Sequence, residues 1–311
     1  MNPLFPMEPV RCETIPQGPD WLAQVKWDGV RVLTYFDGTT TRLFNRRQHE
    51  RTDQFPEVAD IRSYCSARSV ILDGEVIALG ADGKPSFHEV MRRDGIRRIE
   101  KVPQVQKQVP VTYMIFDVLF VDGMWVHERP LDERLRILSD IIVPNDRVQV
   151  VSCHENGAAL FDVIKQHGLE GIVLKDRTSK YIIGGKDSRW QKKKNYRDLI
   201  AVVGGVTLRD QVVNALLLGL YDEKGQLVYI GHAGTGRLTQ ADWRDLTERI
   251  KPLVRKDMPF VNTPAREKES VWLEPAITVK VQFAEWTAGY TLRQPSIQAI
   301  VDVPPTSCVA E

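Results

Sequence analysis

An α+β chain in two parts is the fold class that three observations predict. β-rich runs, broken by a few helical stretches, fill the first two thirds. The segment Lys192-Lys193-Lys194-Asn195-Tyr196-Arg197-Asp198 then shifts the composition towards basic and turn-forming residues. Beyond it lie short strands with one helical segment between them. A length of 311 residues suits two domains. The boundary is expected near 195–200, giving parts 1–196 and 197–311.

The elements follow from side-chain period and turn chemistry. Trp21-Leu22-Ala23-Gln24-Val25 is an apolar-leaning run that delivers Lys26 at its end. Val30 to Phe36 reads as a strand, Asp37-Gly38 as a hairpin turn, and Thr40 to Phe44 as the return. Ser69 to Leu79 is a β pair or a long bent strand, and Thr112 to Phe120 a buried strand. Leu131, Leu135 and Leu138 have helical spacing. Ala158 to His167 is a helix closed by Gly168 in a left-handed cap. In the second part, strands are expected at Leu199 to Val206, Val213 to Tyr221 and Leu227 to Gly231. A helix at Gln240 to Lys251 and a last strand at Ile277 to Trp286 complete a small Greek-key barrel of the OB type.

The formal net charge is only +1, so a global basic field does not announce nucleic acid and local clusters must carry that case. Four scattered cysteines, Cys12, Cys65, Cys153 and Cys308, lack zinc or disulfide spacing and suit a reducing cytosol. A cytoplasmic, monomeric protein is expected, with no membrane span or signal peptide.

Six segments carry chemistry. In Lys26-Trp27-Asp28-Gly29-Val30-Arg31, a lysine at a pocket floor would be a nucleophile once desolvation and nearby cations free its amine. Arg31 would supply phosphate contacts. Arg46 and Arg47 follow a strand, where an arginine suits phosphate or ribose and a solvated charge is the commoner case. Glu75 lies in an apolar run and must be paired, bonded or metal-bound unless it faces out from an edge strand. Phe116 would stack on a purine or simply pack. Asp117 beside it is either catalytic or a hydrogen-bonded structural acid. Glu170 at a helix-to-strand turn would hold a divalent cation, and Lys175 would reach a phosphate. In Trp190-Gln191-Lys192-Lys193-Lys194, an extended chain puts Lys192 and Lys194 on one face and Lys193 on the other. Together these are a nucleophilic amine, a base-stacking ring, two acids for a metal and cations for phosphates. No Gly-rich phosphate loop is present.

In this order the six segments resemble the covalent nucleotidyltransferases. Among them they resemble the ATP-dependent DNA ligases, especially bacterial ligases and ligase domains associated with Ku end joining. The likeness extends to Val281-Gln282-Phe283-Ala284-Glu285-Trp286-Thr287 and Leu292-Arg293-Gln294-Pro295-Ser296. It implies a nucleotidyltransferase (adenylation) domain of antiparallel sheets with flanking helices, followed by a C-terminal OB-fold β-barrel. It further implies that Lys26 attacks ATP and carries AMP, which passes to the 5′-phosphate of a nick before the 3′-hydroxyl displaces it. Arg31 and Arg46 would contact the nucleotide or nick phosphate, Phe116 the adenine, and Lys192 and Lys194 the α-phosphate. Glu75 and Glu170 would serve Mg²⁺ or Mn²⁺, with Glu75 also near the ribose. Nicked duplex DNA is the implied partner, with Ku and a repair polymerase as candidates. Basic segments such as Arg92-Arg93 and Ile96-Arg97-Arg98 would grip the DNA backbone.

Two departures stand out. The second motif, usually Ser-Arg-Asn-Gly, is Asn45-Arg46-Arg47-Gln48 here, which predicts an altered turn. The usual C-terminal Arg-x-Asp-Lys aligns with Ile300-Val301-Asp302-Val303-Pro304, which has neither cation, so either another cation substitutes or self-adenylation is slow. The rival readings are a non-catalytic or adenylation-impaired nick- or end-binding protein and an RNA ligase of the same superfamily.

Overall fold

A computed structural model describes residues 2–265, 267–283 and 286–310. The chain divides into two compact units, Met1–Asn195 and Tyr196–Glu311.

Two sheets build the first unit. One is four-stranded, in the order β1 (Glu8–Arg11), β10 (Lys186–Lys194), β9 (Gly171–Asp176), β2 (Trp21–Lys26). The other runs β4 (Thr41–Asn45), β3 (Val30–Phe36), β5 (Val70–Ala78), β6 (Val111–Val121), β7 (Met124–Trp125), with β8 (Val148–Val150) also on β6. Pairing is antiparallel except for β1 on β10 and β8 on β6. The helices are α1 (Pro56–Ala59), α2 (Phe87–Asp94), α3 (Val102–Gln108), α4 (Leu131–Ile141) and α5 (Gly157–His167).

The two-residue period of a strand divides these residues between faces. Val32, Val70, Leu72, Val76, Tyr113 and Ile115 turn towards Val58, Val90 and Leu138 of the helices and form the main core. Leu33, Tyr35 and Ile71 turn the other way, onto Trp190 of the four-stranded sheet. Ala23, Ile172 and Leu174 face α5. The inner faces of the two sheets therefore meet, and the polar residues sharing those faces are brought together.

The second unit is a barrel of β11 (Arg197–Arg209), β12 (Val212–Tyr221), β13 (Leu227–Ala233), β14 (Val254–Arg255), β15 (Ser270–Phe283) and β16 (Ser296–Val301). Its sheet order is β13-β12-β11-β15-β14, with β16 on β15. A parallel bridge from Gly236 to Ile297 joins the segment after β13 to β16. This is the OB arrangement, with α6 (Gln240–Ile250) between β13 and β14 and a Thr239–Asp242 capping box at its start.

The expected elements are present, with corrections. Gly168 takes the left-handed cap, φ 62°. β15 is followed by a further strand, β16, so the expected last strand is not the last; its end at Ala284-Glu285 lies outside the described residues. The second-motif turn keeps a left-handed residue despite lacking glycine: Gln48 has φ 64°. Asn45 supports that turn by accepting from Arg47 N and His49 N at 2.9 and 3.0 Å. Arg93 is fully buried, donating to both oxygens of Glu57 at 2.9 Å, so it cannot grip DNA. The sequence period placed it beside Arg92 but could not reveal its partner 36 residues upstream.

Candidate active site

Strand register assembles the pocket floor. Gly171 pairs with Lys26 on one side and Lys194 on the other. Val173 stands in the same way between Gln24 and Lys192, and Lys175 between Leu22 and Trp190. These three cross-strand rows share one face. The row of Gly171 requires glycine, because an added Cβ would sit 2.2 Å from the Lys193 carbonyl oxygen. Gly29, just after Lys26, is constrained likewise by the Val76 carbonyl oxygen at 2.2 Å.

Glu170 precedes this row and is buried. Its Oε2 accepts from Lys26 Nζ at 2.7 Å, and its Oε1 lies 3.2 Å from Lys194 Nζ. Lys26 is 22% exposed against 3% for Glu170, so the amine sits at the pocket surface and the acid beneath it. Lys192 is on the same side. Burial and repulsion from Lys194 and Lys26 lower its pKa. Lys193 points away and donates to the Glu13 carbonyl.

The opposite sheet contributes Arg31, Asp73, Glu75 and Phe116. Glu75 pairs with Arg31 in register and accepts no hydrogen bond from any described residue. Burial raises its carboxyl to about 7, with Glu170 and Asp28 adding to the effect and Lys26 and Arg31 opposing it. Folded Glu75 thus keeps its proton to about pH 7, whereas an ordinary glutamate loses it near 4.5. The folded state binds more protons in that window, so this group's contribution to stability falls as pH rises through it. Glu75→Gln is expected to raise stability by about 2 kcal/mol at pH 8 and to change it little at pH 4. Thermal unfolding of both proteins at the two pH values checks this; an equal shift at both would refute it.

Arg31 is paired with an acid of its own sheet. It donates to both oxygens of Asp73, with Nε to Oδ1 at 2.9 Å, and Tyr181 Oη donates to Asp73 at 2.7 Å. Its guanidinium lies 5.2 Å from the centre of the Phe116 ring. Arg46 lies on the turn after β4, exposed, 3.5 Å from Glu8. Asp117 is a structural acid, bound bidentately by buried Arg134 at 2.7 and 3.0 Å.

Lys175 does not reach for a phosphate. It is buried with its Nζ 4.5 Å from the Phe116 ring centre and 4.0 Å from that of Trp190. Burial lowers it to about 8, against the pull of Asp117. Sequence reasoning missed Gln24, which shares the Lys26 face two residues upstream and donates to Cys153 Sγ at 3.3 Å. The period of β2 was the signal for it. The Trp27 and Trp190 indole N–H groups have no acceptor among the described residues. β16 ends at Val301, and just beyond it the Thr278 hydroxyl lies 3.0 and 2.9 Å from the carbonyls of Val301 and Val303, donating its one proton between them and accepting from Val303 N.

A cluster of lysines around a buried acid on one sheet, faced by a second sheet and in a chain that continues into an OB barrel, is the nucleotidyltransferase-like ligase fold. Residues 8–194 match the family described as ATP dependent DNA ligase domain, and residues 209–302 its C terminal region. The chain belongs to the ATP-dependent DNA ligase family. It is 29% identical over 298 residues to the multifunctional non-homologous end joining DNA repair protein LigD of Mycobacterium tuberculosis, covering 94% of this chain and 37% of that one. To the DNA ligase of Methanothrix thermoacetophila it is 30% identical over 294 residues, covering 89% and 51%. A solved structure of mycobacterial DNA ligase D complexed with ATP and MES matches with a TM-score of 0.74 and 29% identity, covering 99% of this chain and 98% of that one. The chain thus spans roughly half or less of these two curated relatives. No helix among the described residues is long and apolar enough to cross a membrane.

Proposed function

We propose that this chain is an ATP-dependent DNA ligase that seals 5′-phosphate/3′-hydroxyl nicks through lysyl-AMP and DNA-adenylate intermediates. Residues 1–196 act as the adenylation domain and 197–311 as the OB-fold domain. The observation carrying this reading is the Lys26–Glu170–Lys194 cluster, with Lys192 beside it. Lys26 Nζ attacks the α-phosphorus of ATP. The N–P bond forms, the bond to pyrophosphate breaks, and the amine gives up its proton. Lys192 and Lys194 balance the charge on the α-phosphate, and burial beside Lys194 and Lys26 lowers the pKa of Lys192. Phe116 offers its ring to adenine, and Gln24 lines the same floor. Arg31, held by Asp73, acts by fixing the Phe116 side of the pocket, while exposed Arg46 is left to meet the nick phosphate.

Glu75 and Glu170 fit a divalent cation, because burial and mutual repulsion hold Glu75 near 7 and a cation would relieve both. No cluster of three or more such ligands exists among the described residues, so Mg²⁺ or Mn²⁺ would complete its shell from phosphate and water. Bound there, it would polarise the phosphate. Ku and a repair polymerase are proposed partners on the likeness to end-joining proteins alone. The barrel takes residues 300–303 into its own hydrogen bonding and they bring no cation, so slow charging of Lys26 is part of the proposal.

Incubation with α-labelled ATP and Mg²⁺ or Mn²⁺, followed by denaturing electrophoresis, tests the reading. An acid-labile label on the protein and sealing of a nicked duplex are expected. Absence of both would overturn it.

A further inference from the structure

The loop between β15 and β16 carries a ring pair unlike the others. Trp286 and Tyr290 stack with centroids 4.6 Å apart and planes 11° from parallel, whereas every other ring pair among the described residues is edge-on. Trp286 is anchored edge-on to Phe283 of the barrel core at 5.3 Å. Tyr290 lies on the outside and is 43% exposed.

The loop is built to hold this ring. Thr287 N donates to Thr291 O at 2.8 Å, Tyr290 N to Thr287 O at 3.0 Å, and the two threonine hydroxyls meet at 2.7 Å. Leu292 is buried and donates to Ile230 O at 2.8 Å. Tyr290 nevertheless has φ 56°, a left-handed conformation that strains a bulky residue. Such strain persists where the surrounding fold enforces it, often at binding sites. Exposed Arg293 lies three residues on.

We propose that the Trp286–Tyr290 stack is a platform for an unpaired nucleobase at a DNA end, with Arg293 meeting its phosphate. A flat ring backed by a second ring, with an exposed arginine three residues on in sequence, fits the flat face and charged backbone of a nucleotide rather than an acyl chain or an apolar peptide. The proposal rests on the ligase reading for the presence of DNA, and it adds a preference for ends with unpaired bases.

The test is binding of the full chain to two duplexes at 0.1 M salt, one with a plain nick and one with a short 3′ overhang carrying 2-aminopurine. Tyr290→Gly relieves the left-handed strain, so its melting temperature is expected to hold or rise. Its affinity for the overhang duplex is expected to fall about tenfold, with loss of the 2-aminopurine quench. Affinity for the nicked duplex should stay within about twofold. Tyr290→Trp should keep overhang binding. Unchanged overhang binding by Tyr290→Gly, or an equal loss on both duplexes, would overturn the proposal. Lys26 labelling is measured in parallel. Its absence from the wild type, together with absence of nick sealing, would remove the ligase reading alone, while the overhang comparison still decides the platform.

Discussion

Lys26→Ala is expected to lose covalent labelling by ATP entirely, and nick sealing from ATP by roughly 10⁴-fold or more, because Lys26 is the proposed AMP carrier. Lys192 and Lys194 are the nearest amines, but they belong to β10 and are proposed to hold the α-phosphate rather than attack it. The fold should survive, since Lys194 remains 3.2 Å from Glu170. Loss of the 2.7 Å contact to a 3%-exposed carboxylate is expected to lower stability by about 1–2 kcal/mol. A pre-adenylated nick bypasses the steps that need the amine, so Lys26→Ala should still seal it. Lys26→Arg keeps a cation beside Glu170 but not the nucleophile, and should restore stability without restoring the label. If Lys26→Ala retained the label, the AMP carrier would be another residue.

The sequence made some of this geometry legible and hid the rest for physical reasons. That Lys192 and Lys194 share a face follows from the period of an extended chain, which needs no knowledge of partners. That Lys26 ends a strand follows from the apolar run before it. Whether an acid in an apolar strand is structural or functional depends on what lies opposite, and the period is silent on that. Asp117 and Glu75 looked alike on this count. Asp117 finds Arg134 17 residues further on, whereas Glu75 finds no hydrogen-bond donor among the described residues. Arg31 and Lys175 read as phosphate ligands, and the period is equally silent on what lies beside them. The partners that occupy them, Asp73 for one and Phe116 with Trp190 for the other, come from other strands. The OB barrel was legible from its helix between strands, while β16 was missed because its short run Ser296–Val301 follows a turn-rich segment.

Arg134→Met is expected to cost about 3–5 kcal/mol, the largest stability loss among these substitutions. Asp73 and Asp117 lie opposite each other across β5 and β6, both fully buried. Two buried acids at such a pair of positions are accommodated because each is paired with its own arginine, Arg31 for one and Arg134 for the other. Tyr181 links the halves: its hydroxyl donates to Asp73 while the Arg134 guanidinium lies 5.9 Å from its ring centre. Removing Arg134 leaves Asp117 buried with only the Val118 N–H as a donor among the described residues, and leaves the carbonyls of Arg129 and Ser179 without the guanidinium that bonds them. The double variant Asp117→Leu with Arg134→Met removes the stranded charge and should recover much of the loss. About 2 kcal/mol should remain for the two bare carbonyls. Denaturant unfolding of the two singles and the double measures the coupling directly. Additive losses would mean that the acid and the arginine are held independently. Strong coupling would tie the wall that carries Phe116 to a buried ion pair on the strand residue that follows it.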